Sequence, residues 1–385
     1  MRSLFNGVVI AVSFFVLSNV AFAATMVTIA PSPPDMDVKG YILIDSNSGY
    51  VLASKNPDMH LPPASITKLM SLYLVADSLR TDKLHMNDLV TISANAWRMS
   101  GSKMFIKVGS QVPVQELING IVIASGNDAT VAMAEHLAGS EETFVSLMNQ
   151  TAALLGMKDT HYSDSNGLPA EGHYSSARDI ATLAHYWITN FPEYYTWFKQ
   201  QWIVYNGIKQ PNRNRLLWRD PSVDGMKTGH TDEAGYCLVS SAVRNGMRII
   251  SVVLGAPSEN ARNTYSEALL NYGFRFYESH LLYHAGTLLT KARVWMGKGS
   301  NLDLGIARDL YVTVPTGQYD KLRANVSINK FLEAPIRKGQ VCGSVNILLN
   351  DSVIMTQQLV ALKDVDKAGV FGRMFDRMAL MFSSK

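Results

Sequence analysis

The stretch Tyr236-Cys237-Leu238-Val239-Ser240, then Asn245-Gly246, then Ile249-Ile250-Ser251-Val252-Val253-Leu254, decides the fold. Asn-Gly between two β-rich runs is a strong short-range signal for a hairpin, because a tight hairpin turn needs residues that tolerate φ > 0. Far upstream, Tyr41-Ile42-Leu43-Ile44-Asp45, Ser46-Asn47-Ser48-Gly49 and Tyr50-Val51-Leu52 read as strand, turn and strand. Between these pairs the pattern is helical. Ile66, Leu69, Met70, Tyr73 and Leu74 share one face of a helix over 65–80, and more helices are predicted around 114–124, 128–138, 141–155 and 176–189. The reading is an α/β domain. Its antiparallel sheet joins N-terminal to C-terminal strands, helices flank it, and a helical subdomain is inserted between.

With 385 residues the chain exceeds one ordinary core. After about 265 a helical stretch is predicted to run to Tyr283. Short alternating runs follow at 301–314, 322–333 and 340–348, where Tyr311 to Val314, Ala324 to Ile328 and Val345 to Leu349 suit strands. The expected organisation is a catalytic domain over 37–281 and a small all-β domain over 282–369.

Both ends carry separate signals. Arg2, the apolar run from Val8 to Leu17 and Ala21-Phe22-Ala23 read as a secretory signal peptide over 1–23. A stiff linker over 24–36 contains Ala30-Pro31-Ser32-Pro33-Pro34. At 370–385, Phe371, Met374, Phe375, Met378, Met381 and Phe382 fall on one helical face, with Arg373, Asp376 and Arg377 off it. That segment is too short and charged to span a bilayer but suits a helix lying on a membrane surface. The competing expectation is a helix docked on the β domain. Cys237 and Cys342 sit in strand-like contexts of different domains, so two buried free thiols are expected. The net charge of only +3 gives no reason to invoke nucleic acid.

Three short motifs carry the chemistry. Ser65-Ile66-Thr67-Lys68 opens a helix after Pro62-Pro63-Ala64, which puts Ser65 and Lys68 a turn apart on one face. A serine hydroxyl needs a base to become a nucleophile, and a lysine shielded from water has a lowered pKa and can serve. Alone, the match is weak, since Ser-x-x-Lys arises by chance about once in a chain of this size. Ser125-Gly126-Asn127 lies at a break between two helices, where Ser125 can relay a proton and the Asn127 amide can orient a substrate. Lys227-Thr228-Gly229-His230 lies on a strand. There a lysine and a hydroxyl can hold a carboxylate, and Gly229 would let a substrate backbone lie close.

Taken in this order, on a helix start, an inter-helix loop and a strand, the three motifs are the set associated with penicillin-binding proteins and class A β-lactamases. The chain resembles the low-molecular-mass penicillin-binding proteins that act as D-alanyl-D-alanine carboxypeptidases. Further text supports this: Tyr162 to Pro169, His173 to Asp179, Asn212-Arg213-Asn214, Leu216-Leu217-Trp218 and Lys227 to Ala234. The resemblance spans roughly 36–370 and implies a penicillin-binding/β-lactamase-like catalytic domain plus the all-β domain.

The resemblance implies roles residue by residue. Ser65 is the nucleophile, Lys68 its base, and Ser125 the relay to the leaving amine. Asn127 holds the acyl side chain. Lys227, Thr228 and Arg262 take the substrate carboxylate. The backbone N–H groups of Ser65 and His230 form the oxyanion hole. The positive charge of Lys227 is expected to lower the pKa of Lys68. The partners implied are the peptidoglycan stem peptide as substrate, β-lactams as covalent inhibitors, and the outer face of the cytoplasmic membrane. No cofactor or metal is expected. His280 and His284 have a zinc-like spacing but lack the following Glu, and read as two histidines on a helix.

A serine β-lactamase is the rival from another class. It needs a glutamate to activate the deacylating water; Thr160 to Pro169 holds none, and Glu171 is followed four residues on by Ser175. A non-catalytic scaffold would have lost Ser65, Lys68 or Lys227, and all three are present. Endopeptidase activity remains an alternative within the family.

Overall fold

The computed structural model describes residues 30–383. The predicted signal peptide and the first part of the linker lie outside them.

The Asn245-Gly246 turn joins two strands as expected. The central sheet takes β1 (Gly40–Asp45) and β2 (Val51–Lys55) from the start of the chain. Its other strands are β3 (Val223–Thr231), β4 (Gly235–Arg244) and β5 (Met247–Ala256). Its order is β2-β1-β5-β4-β3, all antiparallel, so the motif strand β3 forms one edge. The central strands read as continuous apolar runs because both faces are covered. Ile42, Val239 and Val252 point into the core shared with the helical insertion. Leu43, Leu238 and Val253 point the other way, into a core with Leu269 and Leu270 of α1 (Glu259–Phe276). At Gly273 of that helix a Cβ would stand 2.6 Å from Ile249 Cδ1, so the glycine lets helix and sheet approach closely without displacing the Ile249 side chain.

The insertion is helical where periodicity predicts. Lys68–Arg80 continues a 3-10 turn at Ala64–Thr67, and Val114–Asn119 runs into a π-helical turn ending at Ala124. Asn127–Ala138, Glu141–Leu154 and Ala177–Asn190 complete it.

Past residue 276 the structure departs from expectation. The helix stops at Phe276, and Tyr277–Tyr283 is strand β6, paired antiparallel with Leu310–Pro315. Pairing with a segment some thirty residues later satisfies the backbone that the local pattern assigned to helix. The boundary expected at 282 therefore falls inside a strand. His280 and His284 do not share a helix face. The first stacks on Tyr319 at 4.0 Å and the second lies 3.6 Å from Asp309.

The C-terminal domain adds a five-stranded antiparallel sheet around Leu302, Leu304, Val345, Ile347 and Leu359. Thr313 of this domain donates to the buried carboxylate of Asp45, joining it to the catalytic sheet. Cys237 and Cys342 are buried and free, one in each domain.

The last helix, α2 (Val370–Ser383), meets the β domain with its polar side. Asp376 accepts a hydrogen bond from the Met296 N–H and lies 3.7 Å from Arg293. Phe371 and Phe375 are 77% and 65% exposed. No helix among the described residues is long and apolar enough to cross a membrane.

Candidate active site

Ser65 is presented by a tight turn. Ala64 sits in the left-handed region at φ 48°, costly for a residue with a Cβ. The loop at 164–168 closes over the turn. Gly167 has φ +85°, and a Cβ there would lie 1.9 Å from Ala64 O. Asp164 shapes this loop by accepting from the Asn166 and Gly167 N–H groups.

Lys68, fully buried, begins the helix that follows. Its Nζ has three partners: Ser65 Oγ at 2.9 Å, Asn127 Oδ1 at 2.7 Å and Asn166 O at 2.6 Å. Two of these can only accept. A neutral amine therefore points both N–H bonds at Asn127 and Asn166 and its lone pair at the Ser65 hydroxyl.

Burial pushes the Lys68 ammonium down to about 7. Asp164 and Asp128 oppose the fall, while the Arg213 guanidinium adds to it. The expected cause was Lys227. Lys227 is itself pushed well below the usual lysine range, by burial first and by the Lys68 charge second. Two buried ammonium groups in one cluster disfavour each other's charge.

Ser125 and Asn127 flank Lys68 on the far side. Ser125 is a second non-glycine residue in the left-handed region, φ 59°, at the end of the π-helical turn. Its Oγ accepts from Lys227 Nζ at 2.9 Å. Gly126 has Met104 N only 2.9 Å from where a Cβ would be, so the 100–106 loop packs directly on it. The Asp128 carboxylate secures that loop, accepting from the Met104 and Phe105 N–H groups at 2.8 and 2.9 Å.

On β3, Lys227 and Thr228 are buried and face this cluster. At Gly229 the chain itself comes close, since a Cβ there would stand 2.8 Å from Pro63 O. The glycine is thus required for docking the Ser65 turn on the strand. The His230 ring stacks on Tyr236 with centroids 4.0 Å apart. Arg262 reaches the same edge from α1 and donates to the carbonyls of Gly229 and Arg213 at 3.4 Å; its Nε has no partner.

The predicted residues therefore converge on one cavity of about 670 Å³, whose lining includes Ser65, Ser125, Thr228, His230 and Arg262. Sequence reading gave no role to Arg213, Asp164, Asn166 or Asp128. Arg213 lines the cavity and burial lowers its pKa. The signal for it was the flanking pair of asparagines. Asn212 Oδ1 accepts from Asn214 N–H and Asn214 Oδ1 from Leu216 N–H, two Asx turns that aim the arginine between them. Glu171, the residue weighed as a deacylating base, is exposed and offers only its backbone carbonyl to Ser163. A larger cleft of about 970 Å³ opens between the domains near His185 and Arg308. Its lining includes Ser46 and His185, 3.2 Å apart, but none of the three motifs, whose residues gather at the smaller cavity.

The arrangement can deprotonate a serine, bind an anionic group beside it and return a proton on the opposite side. Comparison with known proteins agrees with this chemistry. Residues 27–258 match the family model described as D-alanyl-D-alanine carboxypeptidase, and 277–367 the one described as penicillin-binding protein 5, C-terminal domain. D-alanyl-D-alanine carboxypeptidase DacA of Escherichia coli (strain K12) is 43% identical over 92% of this chain and 90% of its own length. DacC of the same organism is 42% identical over 99% and 96%. The crystal structure of penicillin binding protein 5 from Haemophilus influenzae superposes with a TM-score of 0.85 at 40% identity, covering 88% of this chain and all of that one.

Proposed function

Because the chain belongs to the D-alanyl-D-alanine carboxypeptidase family, we propose a reaction path for its active site in which Ser65 is the nucleophile and neutral Lys68 its base. The enzyme is a serine-type D-Ala-D-Ala carboxypeptidase. It removes the terminal D-alanine from peptidoglycan stem peptides through an acyl-enzyme, and β-lactams acylate it as they do penicillin-binding proteins.

The observation that carries the path is the set of three Lys68 partners, which leaves only Ser65 for the amine lone pair. Ser65 gives its proton to Lys68 as Oγ bonds to the carbonyl carbon of the penultimate D-alanine. The developing oxyanion is held by the N–H groups of Ser65 and His230. Ser125, fixed by Lys227, passes its proton to the departing nitrogen as the C–N bond breaks and takes one from the Lys68 ammonium, which is neutral again for the next step. Thr228, Lys227, Arg262 and Arg213 receive the terminal carboxylate. Water then attacks the ester, giving a proton to Lys68, and Ser65 Oγ regains one as it leaves. Labelling by a fluorescent penicillin, together with D-alanine release from a pentapeptide, tests this path. Both should vanish in Ser65→Ala.

We further infer that the protein is exported and rests on the outer face of the cytoplasmic membrane through α2. In support, the helix turns its acidic residue to the β domain and leaves Phe371 and Phe375 in solvent. The two expectations for the tail are then complementary, a docked polar side and a free apolar side suited to the interface.

A further inference from the structure

Beside the catalytic cavity lies a second cleft, of about 470 Å³, that the reaction path does not use. Trp202 and Trp218 stand in its wall, 46% and 39% exposed, with rings edge to face at 5.8 Å. Lys209 lies over one face of Trp202 at 4.4 Å and Arg215 over one face of Trp218 at 5.8 Å. The rest of both indoles is left partly in water at one spot, a surface fit for a ligand. Around them are the side chains of Arg215, Glu259, Asn260 and Asn263. Arg215 and Glu259 lie 3.5 Å apart and also line the catalytic cavity, so the two spaces adjoin. A hairpin of Trp202–Tyr205 and Ile208–Pro211 joins them: Trp202 pairs with Pro211, which lines the catalytic side. Asn263 is buried, and its Oδ1 has no hydrogen-bond partner in the chain. A buried amide oxygen without a partner is costly, and a turn of the side chain toward the cleft would let a ligand donor relieve that cost.

We propose that this cleft is a saccharide subsite, taking N-acetylated amino-sugar units of a peptidoglycan glycan strand. A pyranose ring has a flat face of C–H bonds and a rim of hydroxyl and acetamido groups. The indoles match the face, and the two asparagines with the Arg215–Glu259 pair supply donors and acceptors for the rim. The rings and amides come from the hairpin, from Leu216–Arg219 and from α1, and side chains of this kind suit a sugar. The position also suits a polymer, since the cleft adjoins the catalytic cavity and a stem peptide borne on a strand seated here could enter it. The inference rests on the reading of peptidoglycan as substrate.

The test uses the full chain, with a peptide-free tetramer of β-1,4-linked N-acetylglucosamine as probe and saturation-transfer NMR as readout. Wild type should bind it, and Trp218→Ala and Trp202→Ala should each bind about tenfold more weakly. Trp218→Tyr, which keeps a flat ring, should retain most of the affinity. In parallel, KM for isolated glycan strands bearing pentapeptides should rise in the alanine variants, while turnover of a soluble acyl-D-Ala-D-Ala peptide stays at the wild-type level. Absence of tetramer binding, or equal binding by wild type and both alanine variants, overturns the proposal. So does an equal loss on the soluble peptide and the glycan-linked one, which would assign the indoles to peptide or to folding. Tetramer binding by a wild type that cannot turn over the soluble peptide would support the subsite and sink the carboxypeptidase path instead.

Discussion

Lys68 Nζ lies 2.9 Å from Ser65 Oγ, and its two other partners are acceptors that cannot give it a proton. The only proton the neutral amine can receive within this set is the one on Ser65. Ser65→Ala should therefore abolish penicillin labelling and D-alanine release together. Lys68→Ala should slow acylation by roughly three orders of magnitude or more, since base and orientation are both lost. Stopped-flow acylation measures this, and a stable penicillin adduct on Ser65→Ala would rule out the assigned nucleophile.

The pH profile follows from the buried amine. With the Lys68 ammonium pushed down to about 7, the neutral fraction grows through neutrality. Acylation, read as kcat/KM, should rise with pH across this range and level off above it. Arg213 lowers the Lys68 value, so Arg213→Ala should move the rising limb to higher pH. A limb that stays in place, or a rate flat from neutral to alkaline pH, counts against Lys68 as the base.

The same shift makes a stability prediction. The native state releases the Lys68 proton near 7 and an unfolded chain near 10.5. Between these values the unfolded state binds more protons, so unfolding free energy rises with pH. The burial penalty is fully present below about 7 and fades toward 10.5. Denaturant titrations should show wild type gaining on Lys68→Met across that window. A constant difference between the two proteins would mean the amine is not depressed.

The proposed carboxylate site makes a substrate prediction. Arg262 has an unpartnered Nε, and Arg213 lines the same cavity. Amidating the terminal D-alanine should reduce turnover about a hundredfold, given the strength of charge-assisted hydrogen bonds. Arg262→Ala should act mainly on KM for the acid. Equal turnover of acid and amide would remove the case for carboxylate recognition.

The tail predicts a fractionation result. Deleting 371–385 should leave active enzyme in the soluble periplasmic fraction, and Phe375→Glu should act similarly by charging the exposed face. Asp376→Ala, which frees the Met296 N–H, should keep membrane association while loosening the helix from the β domain. Truncated protein that stays with membranes, or loses its activity, would favour a purely docked helix.

Much of this molecule is determined by sequence alone, wherever the deciding interaction is local. The Asn245-Gly246 hairpin, the helix after Pro62-Pro63 and the apolar face of the tail each follow from the conformational preferences of a few neighbouring residues. The three motifs were legible because their chemistry requires particular residue types at fixed spacing. Tertiary structure alone decided what surrounds Lys68. Asn127 is 59 residues away from it and Asn166 is 98, and a backbone carbonyl such as that of Asn166 leaves no mark in residue identity. It also decided that Lys227 titrates under the influence of Lys68, because a pKa shift depends on burial and distance. The helix ending at Phe276 was decided by pairing with Leu310–Pro315, and the orientation of the tail by a contact from Asp376 to Met296, 80 residues apart. In each case the backbone or side chain found its partner across the fold, where no local periodicity records it.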